Sequence, residues 1–181
     1  GKDVKPEEIL QAVQHHHAPL AGLSALMTTT VPAMEKTIAL LHKKAPFCQI
    51  IVGGAVLNIS EDHLNRHGTM ENYFQAKKKL FDNLKESAVA ITNVDDPFGM
   101  KIVEDCPCKV ITYGIDHDAD YRITNYSLRS DRTIFTLHCN GMEYEIVTNL
   151  VARFNLYNLL AAIAALNATG VSITMMLPML N

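Results

Sequence analysis

The sequence predicts an α/β fold: a three-layer, doubly wound, mostly parallel sheet with an antiparallel hairpin region near residues 120–148. Three observations predict it. Short apolar runs at Leu20–Met27, Phe47–Val52, Ala88–Thr92 and Lys109–Tyr113 alternate with helical segments, the order that buries parallel strands under helices. From Asp120 the segments TNYSLRS, TIFTLHC and EYEIVTN switch to the alternation of antiparallel strands, and Asn140-Gly141 supplies a hairpin turn. NLYNLLAAIAALNATGV then reads as a strongly apolar helix, with Gly170 as its stop.

Taken in order, Pro6 followed by EEILQAVQ starts a helix, with acidic residues in its first turn and Ile9, Leu10 and Val13 on one face. His15, His16 and His17 cannot share one helical face, so they read as a solvated helix end rather than a metal site. After the first strand, Thr30 is placed to cap a helix with Pro32 in its first turn, and the basic HKKA suits that helix's C-terminal end. Gly53-Gly54 closes the second strand. Asp96-Pro97 opens a short helix through Val103, and SITMMLPML has the look of the start of one more helix.

Composition narrows the class. The 181 residues suit one domain with a core of its own, and 48% are hydrophobic, as in globular proteins. No apolar run reaches the roughly 18 residues of a membrane span, and GKDVKPEEIL lacks the apolar core of a signal peptide. A formal net charge of −3 gives no reason to expect a nucleic-acid partner. Cys48, Cys106, Cys108 and Cys139 are too scattered for a disulfide framework, and the Cys106-x-Cys108 pair reads as isolated thiols before it reads as a metal site. The expectation is a cytoplasmic protein.

Chemistry concentrates in Asn58–Phe81, NISEDHLNRHGTMENYFQAKKKLF, where a carboxylate, histidines and a lysine follow a strand's C-terminal end. Tyr73, Lys77, Leu80, Phe81 and Leu84 fall at helical spacing, so Lys77 shares the apolar face while Lys79 points away. A lysine there either snorkels or is chemically altered. Asp62 could orient a ligating histidine or satisfy a loop amide. His67-Gly68 shapes the turn before a cap at Thr69. Asn155 and Asn158 sit three apart at a helix start, where capping also uses asparagine. Asn93 and Asp95 in NVDDP fit a plain turn as well as a site. No GxxxxGK[ST] phosphate loop occurs.

From about Asn58 to Asn181, the motifs NISEDHLNRHGTMENYFQAKKKLF, ITNVDDPFG and RFNLYNLLAAIAAL resemble the central domain of Mur ligases, nearest the type that adds the third amino acid to UDP-N-acetylmuramoyl-dipeptide. The resemblance implies ATP and Mg²⁺, and activation of a carboxylate as an acyl phosphate in peptidoglycan biosynthesis. It makes His63 a Mg²⁺ ligand and Lys77 the lysine carbamylated into a metal-binding carboxylate. Asn155 and Asn158 would meet the adenine, Asn158 as the base contact, and Asn93 and Asp95 would line the nucleotide cleft. The family usually has glycine just before RFN, where this chain has Ala152. Without the phosphate loop, and without the family's flanking domains in these residues, turnover is expected to be lost.

Residues 1–57 instead resemble part of a cobalamin-binding domain of the methionine-synthase and corrinoid-protein type, through GLSALMTTTVPAMEKTIALL and IIVGGAVLN. Ser24, Leu26, Gly53 and Gly54 fall on its SxL and GG positions, while its lower-ligand DxHxxG loop is absent. Together these readings imply a chimera joined near Asn58, folded as one hybrid domain with Ser24, Gly53, His63 and Asn93 on one rim. Three functions follow as expectations: a ligase-derived domain retaining weak nucleotide or Mg²⁺ binding, a corrinoid-binding module, or a structural chimera without activity. An open sheet edge after Gly54 or near Asp120 could pair with another copy, so oligomeric state stays open.

Overall fold

A computed structural model describes residues 4–25, 31–54 and 70–180 of the chain. Leu26, Asp62, His63, His67 and the expected caps at Thr30 and Thr69 lie outside the described residues, so their readings stand as expectations. The chain divides into two compact units, Gly1–Leu80 and Phe81–Asn181.

In the first unit, helix α1 (Pro6–His15) begins where Pro6 presets the backbone and Glu7 and Glu8 face the positive end of the dipole. Its Val13 packs with Leu41 and Ala45 and with Cys48, and Ile9, Leu10, Ala21 and Ile50 close around them. Leu41 belongs to α2 (Val31–Lys44), whose last turn carries His42, Lys43 and Lys44 as the dipole favours. Gln14 Nε2 ties the two helices by donating to the Lys44 carbonyl at 3.2 Å. His15, His16 and His17 are all exposed, the solvated end that their spacing predicts.

Strands β1 (Leu20–Ala25) and β2 (Gln49–Gly54) pair in parallel, from Leu20 opposite Gln49 to Ala25 opposite Gly54. Strand β2 starts two residues later than the apolar run suggests. The Cys48 amide is turned back onto the Ala45 carbonyl at 3.0 Å, which leaves Phe47 51% exposed, and the Gln49 amide reaches the Pro19 carbonyl at 2.8 Å. Helix α3 (Met70–Asp82) buries Phe74, Lys77, Leu80 and Phe81 along one face and leaves Lys79 exposed.

The second unit holds a five-stranded sheet in the order β3-β4-β5-β6-β7. Strands β3 (Val89–Asn93) and β4 (Lys109–Gly114) pair in parallel along their length, and β4 meets β5 (Tyr121–Leu128) in parallel only at Tyr113 and Gly114. Strands β5, β6 (Thr133–Cys139) and β7 (Met142–Thr148) are antiparallel, with an irregularity between Thr124 and Ser127. The β6–β7 turn is the expected one: Asn140 and Gly141 take φ of 52° and 72°, the left-handed pair that matches strand twist. Alternation is strict on β6, where Thr133, Phe135, Leu137 and Cys139 are buried.

Helix α5 (Arg153–Ala168) packs across β3, β4 and β5 and buries Leu156, Leu159, Leu160, Ala161, Ile163 and Ala164. Gly170, at φ 96°, ends it, and a single turn α6 (Ile173–Met176) packs back on it. The short helix after NVDDP, α4, covers Gly99–Ile102 rather than starting at Asp96. Asp96 is drawn into a turn instead, its Oδ1 accepting the Phe98 amide at 2.8 Å. Gly99 then passes so close to β3 that a Cβ there would lie 1.7 Å from the Asn93 carbonyl oxygen. Thr92 Oγ1 donates to the Gly99 carbonyl at 2.6 Å and fixes that approach. Among the described residues no helix is long and apolar enough to cross a membrane.

Candidate functional site

Lys77 is the candidate the first unit contributes. It is 1% exposed and among the largest fully buried side chains, flanked on its helix face by buried Phe74 and Leu80. Its burial follows from spacing: three- and four-residue steps put it under the apolar stripe. A lysine so fully enclosed leaves no path for its ammonium to reach solvent, unlike the exposed Lys79 two residues on. Ser24 stands opposite Gly53 in the β1–β2 register and Ala25 opposite Gly54, at the carboxyl ends of both strands.

In the second unit, the carboxyl ends of β3 and β4 meet the first turn of α5 around Asp95. Its side chain is 5% exposed, and five donors converge on it. Oδ2 accepts the Ile115 amide at 2.6 Å, the Asp116 amide at 3.0 Å and the Tyr157 hydroxyl at 2.9 Å. Oδ1 accepts the His117 amide at 2.9 Å, and His117 Nδ1 lies 2.8 Å away. An ionised carboxylate only accepts, so His117 carries its proton on Nδ1. Burial alone would raise the Asp95 carboxyl; the amides of Ile115, Asp116 and His117 and the His117 ring outweigh it and hold it well below the usual carboxylate range.

Around that anion the neighbours are fitted. A Cβ at Gly114 would fall 3.2 and 3.3 Å from the two Asp95 oxygens and 2.7 Å from Val94 Cγ2, so glycine there leaves room for the carboxylate. Asn93, 8% exposed, accepts the Asp95 amide on Oδ1 at 3.0 Å. Burial, and then the bond to Asp95, push the Tyr157 phenol up to about 12, which keeps it a donor at neutral pH. Arg153 closes the ring, reaching Asp116 Oδ2 at 2.5 Å and the Tyr157 oxygen at 3.2 Å.

The N-terminus of α5 is strained. Ala152 precedes the helix at φ 73° and ψ 143°, a region L-residues avoid and glycine occupies freely. Asn155 braces it, its Nδ2 donating to the Val151 carbonyl at 2.6 Å. Asn158 is exposed, and Phe154, one turn before it, is 66% exposed. Asn93, Asp95 and Asn155 are thus engaged in building the loops, and Asn158 is the member of the sequence-derived set that faces solvent. Tyr157, His117, Asp116 and Arg153 carry no local motif; they belong to this cluster through contacts 20 to 62 residues from Asp95 and 37 residues from Arg153 to Asp116.

Comparison with known proteins places residues 24–166 in the family described as Mur ligase middle domain. A UDP-N-acetylmuramoyl-L-alanyl-D-glutamate–2,6-diaminopimelate ligase of Chlamydia pneumoniae is 40% identical over 112 residues, 62% of this chain and 23% of the relative. Among solved structures, MurF from Acinetobacter baumannii superposes with a TM-score of 0.70 at 20% identity, over 97% of this chain and 42% of that one. A MurF ligase from Thermotoga maritima in complex with ADP gives a TM-score of 0.63 at 17% identity, over 92% of this chain and 43% of its own. The chain therefore spans about a quarter of the length of the ligase relative it matches. The match begins at Ser24, so residues 24–57 lie within the family's span, and the comparisons lend no support to a cobalamin-binding part or a chimera there.

Two outcomes test this geometry. Ala152→Gly removes the backbone strain before α5 and raises stability by about 1–2 kcal/mol in urea unfolding. The Asp95 carboxyl titrates lower in the folded chain than in the unfolded one, so its contribution is full above the unfolded value of about 4 and is lost as pH falls through the folded value. Asp95→Asn lowers stability at pH 7 by about 2–4 kcal/mol and flattens the loss of wild-type stability below about pH 4.

Proposed function

The chain belongs to the Mur ligase middle-domain family, and from that premise we propose that it is a nucleotide-facing domain of the peptidoglycan-precursor ligases, the 2,6-diaminopimelate-adding type in particular. The observation that carries this reading is the family match over residues 24–166, with its relative named for that ligation. The burial of Lys77 supports it independently.

In this reading the ligand is Mg·ATP. Asn158, exposed on the first turns of α5, contacts the adenine edge, and Phe154 offers a face on the same side of the helix, four residues earlier. Asn93, Asp95 and Asn155 act on the nucleotide by holding the loops and helix start that frame it. On the metal side, carbamylated Lys77 would supply carboxylate oxygens, the hard ligands Mg²⁺ takes, and His63 an imidazole. A free lysine ammonium cannot ligate a cation, so the fit depends on that modification. Bound Mg²⁺ would neutralise phosphate charge; the residues of this chain orient the base and seat the metal.

The 181 residues contain no GxxxxGK[ST], the loop whose amides and lysine cradle transferring phosphates. We therefore assign this chain weak nucleotide binding without turnover. A second reading keeps the corrinoid resemblance, because the β1–β2 register sets Ser24 against Gly53 at the strand ends. It places a cobalamin tail there.

Calorimetric titration with Mg·ATP in bicarbonate buffer separates the two. Binding near the millimolar range is expected, about 4 kcal/mol, and Asn158→Ala weakens it roughly three- to tenfold while Lys77→Ala removes its Mg²⁺ dependence. No heat at millimolar nucleotide removes the ligase-derived reading. Cobalamin added in the same cell should leave its absorption spectrum unchanged; a shifted spectrum that Ser24→Leu abolishes favours the corrinoid reading instead.

A further inference from the structure

Outside the Asp95 cluster, two thiols meet in the turn between α4 and β4. Cys106 Sγ and Cys108 Sγ lie 3.0 Å apart, nearer than non-bonded sulfurs rest and short of a covalent bond. Both are free thiols and half-buried, and their neighbours Glu104, Asp105, Pro107 and Lys109 are exposed, so small reagents reach the pair. The turn is held in place on both sides: the Cys106 amide donates to the Val103 carbonyl at 3.1 Å, and β4 starts at Lys109. The other two cysteines, Cys48 and Cys139, are buried.

We propose that Cys106 and Cys108 form a reversible redox site, a dithiol that exchanges with low-molecular-weight disulfides to close a Cys-Pro-Cys bridge. The contact is preformed, and Pro107 between them restricts the backbone to the bend that brings the sulfurs together. The exchange balances without a cofactor. The Cys106 thiolate attacks one sulfur of the small disulfide, whose S–S bond breaks and releases one thiolate. The Cys108 sulfur, its proton lost to solvent, then displaces the second thiolate from Cys106. Two protein thiols are oxidised, one external disulfide is reduced to two thiols, and the two protons return to those thiols. Burial, and then the neighbouring Cys106, push the Cys108 thiol up to about 11. A ring closed across one residue removes little chain entropy, so the bridge opens readily when the reductant returns.

Trypsin cleavage after Lys101 and Lys109 isolates both cysteines on one peptide, IVEDCPCK. The native chain is equilibrated with graded ratios of oxidised to reduced glutathione, quenched by alkylation and digested. The expected product is a peptide lighter by two hydrogens that takes up no alkylating agent and regains both labels after dithiothreitol. Cys108→Ser should stop at the glutathione adduct on Cys106, at least about tenfold more abundant than in the wild type. The proposal is overturned if the wild-type peptide takes up two labels at every ratio. It is equally overturned if the peptide accumulates a stable glutathione adduct, or if its sulfur bonds to Cys48, Cys139 or a second chain.

Discussion

The second unit depends on one buried anion. Placing the Asp95 carboxylate at 5% exposure would cost several kcal/mol if it were left unpaired. The fold offsets this with five donors drawn from the β4–β5 loop and the first turns of α5. Those donors are backbone amides in three of five cases, so satisfying the charge fixes the conformation of Ile115, Asp116 and His117. Tyr157 and Arg153 extend the same constraint into α5, and Gly114 leaves the space it needs. One carboxylate thus registers a strand end, a loop and a helix start against each other.

Much of the fold was legible because it rests on local signals. Alternation on β6, Asn140-Gly141 at the hairpin and Gly170 after α5 each act within a few residues, and each appears as the sequence implies. The burial of Lys77 was legible for the same reason, since helical spacing alone places it under the stripe. Element starts were less so. Phe47 and Asp96 carry residue types compatible with a strand and a helix start, but turn hydrogen bonds claim both stretches.

The candidate site was legible only in part. Asp95 sits in a turn-like NVDDP whose partners lie 20, 21, 22 and 62 residues away, beyond the reach of any periodicity. Ala152 was visible as a departure from a family glycine; its positive φ shows the physical reason, since the chain must turn there through a conformation that a Cβ opposes. Asn158 is the exposed residue of a set whose other members, Asn93, Asp95 and Asn155, hold the loops. The family match covers residues 24–166, and the 181 residues contain no GxxxxGK[ST].

Amide hydrogen exchange at Ile115, Asp116 and His117 tests the central claim most directly. If the Asp95 carboxylate holds this loop, all three amides exchange as slowly as those of β4 and lose protection together once the carboxyl is protonated. Exchange at the rate of an open turn, or protection that persists unchanged after protonation, would contradict it.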